Sequence, residues 1–563
     1  MSLCENVPEI NTDSCSEPFV QWAPVTYVIA LFATWGHHQE QEVETMAVKE
    51  ITKDTSVAEI VKLCPGARLI FDEHGLNGCG GEHGPSESLE FFAAVHEANL
   101  EDLLREINAE FANPSSKPYV YKTSLQDYIY RRFFKAGVVI VLTVGCLWGA
   151  TNLLQIALGK SFLNLRLLPS IHAHAHAMIF GWVGMFVMGF AYQSFPRFKN
   201  TRLWRPQLAN LTLYLLATGI GSGMIAEVMS PAPVSLALGA VSAMCEITAV
   251  VLFMTVLYRT ARQSVEPHNP YEKFIASSLV WLLLGTVLEA LFFFAKATAD
   301  SEPGLIMRIA LIDGPLRDIQ LLGFAALIIA GVSQRFVPHV YGLAKPPHDR
   351  QALIFWLMNG SLILNIASYV LLLTTRNLFF AIGLELSYLL MPVWAALLAI
   401  QIGVFRNPSQ PDRTFKFIRA AYVWLLIACG MMPFFPVYGI LTHQLFAHTY
   451  MGSHRHAFTV GFISMMILGV ASRVVPILAG IDAKRMDSLW APFLLFNIGC
   501  AGRVLLQVLT DFVPDVAFPL VGFTGFIEFA ALVWWGIELW RTMNLAANGR
   551  PTSMTLPFLV PVR

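Results

Sequence analysis

One short phrase occurs three times in this chain, each time within an apolar segment. The copies begin at His176, Asp318 and His456, and each has glycines 5 and 13 residues later and a proline 20 residues later, as in 181−176, 189−176 and 196−176. The starts are 142 and 138 residues apart (318−176 and 456−318). Recurrence at a nearly fixed period indicates an internal repeat. The phrase therefore predicts that one ancestral unit has been used three times.

The composition is that of a membrane protein. Hydrophobic residues make up 55% of the chain and charged residues 14%, and the mean hydropathy is +0.55. A chain with this composition is too apolar to be a soluble globular protein of this size. The net charge of −1 argues against a nucleic-acid partner. The eight cysteines form no CxxC motif, so the sequence predicts neither a disulfide framework nor a thiolate zinc site.

Twelve apolar segments are each long enough to cross a lipid bilayer. They cover residues 136–158, 171–195, 208–229, 232–257, 274–298, 316–337, 352–374, 378–404, 417–440, 456–478, 489–510 and 517–540. Three copies of the phrase among twelve segments predict four helices in each repeat. The predicted fold class is therefore an all-α polytopic membrane protein, with twelve transmembrane helices as three four-helix repeats and a small soluble helical domain before them.

The rest of the chain divides by composition. Residues 1–45 are interpreted as an extension or a mis-assigned start, because their apolar run is too short to cross a bilayer. The other predicted parts are a small cytoplasmic helical domain (46–112), a linker (113–135), the membrane domain (136–541) and a cytoplasmic tail (542–563). Within the small domain, Cys79 stands in a glycine-rich turn and is the soluble cysteine singled out as a functional candidate.

Basic residues mark one side of the predicted bundle. Loops that join an even-numbered span to the next odd-numbered one are rich in arginine and lysine, as in the loop with Arg197, Lys199, Arg202 and Arg205. Such residues collect in cytoplasmic loops, so both termini are predicted in the cytoplasm and the protein in a bacterial inner membrane. The histidine clusters, at the starts of spans 2 and 10, are then predicted toward the outer face.

Histidines cluster at the start of two copies of the phrase, as His172, His174 and His176 and as His454 and His456. Residues two apart on a helix point about 200° apart, so neighbouring histidines face different groups. A low-spin heme b needs two axial ligands, and neutral imidazole suits that role. His176 and His456 are the predicted pair, with His174 as the competitor for the first position.

Asp318 takes the place of histidine in the middle copy of the phrase and directly follows Arg317. It is interpreted either as half of an ion pair at the outer face or as a proton-binding or metal-binding group. Copper is the second cofactor considered. Its candidate ligands are His172, His443, His448 and Asp318.

Spans 2 and 10, with HAHAMIFGWVG and HRHAFTVGF, resemble the corresponding helices of heme-copper oxidase and nitric oxide reductase catalytic subunits. The resemblance implies that His174 or His176 holds a low-spin heme together with His456, and that His454 faces a second heme. Those enzymes also carry metal-binding histidines on helices 6 and 7, whereas the predicted spans 6 and 7 of this chain contain none. The usual binuclear centre is therefore not predicted.

A closer resemblance, in the HA-x3-G phrases, is to the NnrS family and extends from about Arg131 to Arg541. It implies a twelve-helix membrane protein that contains heme and copper and is associated with nitric oxide and nitrosative stress. The segment from Ile51 to Phe111, with FDEHGLNGCGG, resembles the short N-terminal domain of ScdA-type iron-centre repair proteins. This second resemblance implies an iron-related or redox-related role for the small domain.

These observations predict an NnrS-type heme protein that binds or turns over a diatomic gas such as nitric oxide. One alternative is a terminal reductase for nitric oxide or oxygen, whose second metal site uses Asp318 and the outer-loop histidines; any enzymatic activity would then be that of an oxidoreductase. The other alternative is a heme-free transporter that uses the bundle as a pathway. The sequence identifies no electron donor.

Overall fold

The computed structural model describes residues 51–114, 121–162, 165–410, 412–444, 446–483 and 486–548, with side chains to 545. The chain divides into two compact units, Met1–Ile51 and Thr52–Arg563, and nearly all described residues belong to the second. The predicted extension 1–45 lies outside the described residues. So do residues 46–50, the part of the predicted linker at 115–120, and the predicted tail beyond 548.

Four short helices form the N-terminal domain. They are α1 (Val57–Leu63), α2 (Ala67–Glu73), α3 (Leu89–His96) and α4 (Leu100–Ala112). Side-chain caps begin α1 and α3, because the hydroxyls of Ser56 and Ser88 accept backbone N–H groups in the first turns of these helices. The helices pack around the buried side chains of Val57, Ile60, Phe71, Phe92, Leu103 and Ile107.

Twelve helices are long and apolar enough to cross a membrane, which confirms the predicted all-α fold class. In chain order, spans 1 to 12 are Leu125–Gly159, Leu168–Phe198, Pro206–Met229, Pro233–Gln263, Glu272–Ala297, Glu302–Tyr341, His348–Thr375, Phe379–Ile402, Phe415–Thr442, His448–Ala479, Trp490–Leu509 and Pro514–Leu545. The last helix continues to Asn548, so it extends into the segment predicted as a tail.

Some helices begin before the predicted apolar segments. Span 1 begins at Leu125 rather than 136, within the predicted linker, because Ser124 and Asp127 form a capping box. Span 6 begins at Glu302 rather than 316, where Ser301 accepts a backbone N–H of the first turn. The first turns of these helices carry charged residues, so hydropathy alone sets the helix starts too late.

Spans 2, 6 and 10, here called the central spans, form the middle of the bundle. Of their most apolar stretches 72, 89 and 78% is buried, against at most 50% in the other nine spans. Each widens into a π-helix one residue after the phrase begins, over Ala177–Gly184, Ile319–Ala326 and Ala457–Ser464. Such stretches are rare in proteins and often mark functional sites. The descent of the three four-helix units from one ancestor stays a prediction.

The first glycine of each copy of the phrase lets a neighbouring span approach closely. In span 10, a Cβ added to Gly461 would lie 2.5 Å from the ring of Trp424, closer than non-bonded carbon atoms approach. The corresponding distances are 2.6 and 2.8 Å in the other two copies, for Gly181 against Ile140 and Gly323 against Trp281. The repeated glycine therefore has a packing role.

The variant Gly461→Ala is expected to lower the free energy of unfolding by about 1–3 kcal/mol, because the added methyl overpacks the contact with Trp424. Thermal unfolding of the protein in detergent measures the loss. Gly430→Ala in span 9 is the matched control, since a Cβ on Gly430 meets no atom within 4 Å. Equal stability of the two variants would contradict the tight contact.

Candidate functional site

The rings of His174 and His454 are each fixed by one hydrogen bond to the backbone. His174 Nδ1 lies 3.0 Å from the carbonyl oxygen of Gly145 in span 1, and His454 Nδ1 lies 2.9 Å from that of Ala428 in span 9. A carbonyl only accepts hydrogen bonds, so Nδ1 carries the proton in both rings and Nε2 keeps its lone pair. In this tautomer a histidine can bind a metal ion or heme iron through Nε2.

The local backbone of span 1 makes the first of these contacts possible. Residues Val141–Gly145 form a π-helical turn, and Gly145 at its end has a ψ of −108°, which turns its carbonyl away from the regular helical direction. Gly149, one turn later, packs against the histidine ring. A Cβ on Gly149 would be 2.5 Å from Cε1 and 2.9 Å from Nε2 of His174, so only glycine leaves room for the ring.

His176 and His456 are held by carboxylates instead. His176 Nε2 lies 2.8 Å from Glu246 Oε1 in span 4, and His456 Nε2 lies 2.8 Å from Glu528 Oε1 in span 12. The side chains of His176, Glu246 and Glu528 are buried, whereas the side chain of His456 is 22% exposed. The two histidines that begin the phrase thus have matching partners.

The middle copy of the phrase lacks both the histidine and its glutamate partner. Asp318 stands where the other copies have histidine. Glu246 and Glu528 each precede an arginine at the end of their span by 13 residues (259−246 and 541−528), and 13 residues before Arg406 the chain has Val393. Histidine and glutamate are therefore present together or absent together. The shared offset of the two glutamates from an arginine indicates in the sequence that they are equivalent, but it does not identify the side chains that they contact.

A network of ion pairs connects His176 with the histidine cluster of span 10. Glu289 Oε1 of span 5 is 3.8 Å from His176 Nδ1, and Glu289 Oε2 is 3.0 Å from Arg317 Nη1 in span 6. Arg317 Nε pairs with Asp313 at 3.2 Å, and Asp313 pairs with Arg455 of span 10 at 3.1 Å. Span 6 therefore supplies the charges that link the two histidine-bearing spans. The sequence suggests that Asp318 forms an ion pair here. In the structure the ion pair is formed by Arg317 with Asp313.

A second ion pair lies beside His172. Lys296 Nζ of span 5 is 2.6 Å from Glu227 Oε1 and 2.7 Å from His172 Nδ1. An ammonium group at this distance disfavours a bound metal cation. A small polar cavity, lined by Glu227, Glu289 and His176 among others, offers about 20 Å³ to water, which is room for about one molecule.

The four candidate copper ligands do not come together. Within the described ranges, Asp318 makes no hydrogen bond or ion pair, and no group of three or more His, Cys, Asp or Glu residues could hold a metal ion. The ring of His448 packs on that of Phe446, with centroids 4.6 Å apart. His443 ends the last helix of span 9 in a left-handed conformation, with φ of +54°. A copper site is therefore not apparent in the part of the chain that the structure describes.

Cys79 is buried where the glycine-rich turn meets span 10. Its Sγ lies 3.9 Å from the carbonyl oxygen of Ile477, and its exposed fraction is 6%. Burial raises the pKa of the Cys79 thiol, which disfavours the reactive thiolate. The geometry therefore supports a packing role for this cysteine.

Residues 125–544, from the first span to the last, match a protein family described as NnrS protein. The match covers well over half of the chain. No curated protein matches the sequence.

Proposed function

Because this chain belongs to the NnrS protein family, we propose that it binds two heme b groups in the membrane, one that would be held through Nε2 of His174 and one through Nε2 of His454. The observation that carries the proposal is the repeated contact of Nδ1 with a carbonyl oxygen, at 3.0 Å in His174 and 2.9 Å in His454. This contact favours the tautomer with the proton on Nδ1 in both histidines, and each of them lies two residues before its copy of the phrase begins. A fixed imidazole with a free Nε2 suits heme iron.

His176 and His456, the pair predicted from the repeat, fit this role less well. The Nε2 of each ring lies 2.8 Å from a glutamate oxygen, so the nitrogen that would bind iron is already engaged. We infer that these two histidines lie beside the prosthetic groups and are oriented by Glu246 and Glu528. The pairing of His176 with His456 across one heme is the competing proposal.

The proposed role is the binding of nitric oxide in nitric oxide metabolism or nitrosative-stress defence. A heme held by a single imidazole of this chain would supply iron that can bind a diatomic gas. The residues of this chain supply the rest of the environment. The His454 side chain is buried, and Gly149 packs against the His174 ring.

Rapid reduction of nitric oxide or oxygen is not part of the proposal. A second metal in such a site needs three or more well-placed ligands. The described residues contain no such group, and His172, His443, His448 and Asp318 give no support for copper. Steady consumption of either gas with a chemical electron donor would favour the terminal reductase instead.

We further propose that the protein resides in a bacterial inner membrane, with the basic loops and both termini in the cytoplasm. Twelve apolar helices support a membrane environment, and the concentration of arginine and lysine at one end of the bundle supports the orientation. The histidine clusters would then lie toward the outer face. Nitric oxide, an uncharged diatomic, would reach them through the bilayer.

The absorption spectrum of the purified protein tests the proposal. Sharp bands of reduced b-type heme, shifted by added nitric oxide, are the expected result. A protein without such bands, after expression with a heme supply, would leave the heme-free transporter as the better reading.

The variant Gly149→Ala is expected to lower the heme content, because the new Cβ would stand 2.5 Å from Cε1 of His174 and displace the ring. The ratio of heme absorbance to protein measures the change. Gly159→Ala, in the same span, is the matched control, since a Cβ on Gly159 meets no atom within 4 Å. Full heme content in the Gly149 variant would argue against His174 as a ligand.

A further inference from the structure

The N-terminal domain contacts all three central spans at one end of the bundle. This basic end comprises the last turns of the central spans, at Phe198, Tyr341 and Ala479, and the residues that directly follow them. Side chains, backbone groups and ion pairs all take part in the contact. We propose that the N-terminal domain is a latched cap that closes the basic end of the bundle.

The first latch joins Glu97, which follows α3, to span 6. Glu97 Oε2 lies 3.0 Å from Arg335 Nη1, and Glu97 Oε1 lies 3.2 Å from His339 Nε2. The contact with His339 and the Arg335 charge hold the pKa of Glu97 well below its usual range. Only 6% of Arg335 is exposed, and its guanidinium lies 4.8 Å from the ring of Phe198 in span 2.

The second latch joins Glu87, just before α3, to span 10. Arg473 Nη1 is 2.8 Å from Glu87 Oε1, and the Arg473 guanidinium lies 5.0 Å from the ring of Phe91 in α3. Arg473 is as deeply buried as Arg335. Both arginines stand three residues before the proline of the phrase (338−335 and 476−473), so the two latches use the same position in two copies.

The remaining central span, span 2, contacts backbone carbonyl groups of the N-terminal domain. The first copy has Gln193 at the latch position, and Arg197, one turn later in span 2, donates from Nη2 to the carbonyl oxygen of Asn77 at 2.6 Å. Asn200 Nδ2 donates to the carbonyl oxygen of Glu73 at 3.0 Å. All three central spans therefore end against the same small domain.

The glycine-rich turn makes this close approach possible. The Gly80 N–H donates to the carbonyl oxygen of Leu478 at 3.3 Å, and a Cβ on Gly480 would lie 2.6 Å from the carbonyl oxygen of Gly80. Gly80 and Gly480 both have φ near +70°, which side chains other than that of glycine rarely adopt. The turn that was predicted to present a functional thiol thus fits the domain onto the end of span 10.

Closure has a direct consequence for access. Undocking would take the carboxylate of Glu97 away from the Arg335 guanidinium, which is 6% exposed, so this ion pair favours the docked state. With the basic end closed, water and ions reach the central spans from the opposite end of the bundle, where the histidine clusters lie. This inference does not depend on heme binding and can fail independently of it.

Alkylation of Cys79 by a maleimide in the full-length protein in detergent tests the cap, with the labelled cysteine identified by peptide mass spectrometry. Cys79 should react slowly in the native protein, because its thiol is buried against Ile477. Arg473→Glu should increase the rate about tenfold or more, because it places a carboxylate beside those of Glu87 and Asp412, which lie 2.8 and 3.4 Å from Arg473. In an Asp412→Asn background, the double variant Glu87→Arg with Arg473→Glu should restore protection, since it rebuilds the pair with opposite signs.

Two controls keep the result interpretable. Lys53→Glu breaks the exposed pair of Lys53 with Glu90 and should leave Cys79 protected. Cys64, buried at the end of α1, reports on the domain itself and should stay protected in the Arg473 variant. Fast labelling of Cys79 in the native protein, equal labelling of Cys64 and Cys79 in the variant, or no recovery in the double variant would each overturn the cap.

Discussion

Replacing His174 by alanine is expected to remove the prosthetic group of one site and to leave that of the other, which depends on His454. Replacing His454 should do the reverse, and the double variant should contain no heme. The reason is that each ring offers a free Nε2 only because a carbonyl oxygen, of Gly145 or Ala428, holds its Nδ1. Heme content and the reduced absorption spectrum of each purified variant measure the effect.

His176→Gln and His456→Gln separate this arrangement from the pairing of His176 with His456. Both variants should keep their heme, because glutamine can still bond to Glu246 or Glu528. His268→Ala is the matched control for general effects of losing an imidazole, since 86% of that side chain is exposed. Loss of heme in the His456 variant together with full retention in the His174 variant would favour the competing pair.

Replacing Arg317 by leucine is expected to destabilise the protein by about 3–5 kcal/mol, which is the usual cost of breaking a buried ion pair. Arg317 lies between Glu289 and Asp313, at 3.0 and 3.2 Å, and the variant would leave both carboxylates near the middle of the bundle without this cation. Thermal unfolding and the yield of folded protein in detergent measure the loss.

The control for this experiment is Arg308→Leu, on the same helix. Arg308 donates to the neutral Ala295 carbonyl and Thr298 hydroxyl, so its removal leaves no paired carboxylate behind. Adding Glu289→Gln to Arg317→Leu should recover part of the stability, because it removes one of the uncompensated charges. A loss no greater than that of the Arg308 variant would show that the network does not hold the central spans together.

The twelve spans and their order could be predicted from the sequence because length and hydropathy largely determine which segments cross a membrane. The helix starts could not, since residues such as Ser124 and Ser301 begin helices through polar caps that hydropathy does not detect. The family resemblance, drawn from the phrases around His176 and His456, is confirmed by the match over residues 125–544.

The partners of the histidines were beyond the reach of sequence reasoning. The offset of Glu246 and Glu528 from their arginines marked them as equivalent, but which side chain each one meets depends on how spans 4 and 12 rotate about their axes. The contact of His174 with Gly145 depends on a π-helical turn that no residue pattern predicts. The glycine-rich turn marks Cys79 as a functional candidate in the sequence, and in the structure that turn packs against the end of span 10.

The π-helical stretches of the central spans divide each helix into two halves with separate phases. A π turn holds one residue more than an α turn, so it shifts the angular position of everything beyond it by about 100° relative to an uninterrupted helix. Because Ala457–Ser464 lies between His456 and Arg473, the end of span 10 that carries His456 faces about 100° away from the direction that an uninterrupted helix would give it. The loss of a single residue from the stretch would therefore turn the two halves against each other.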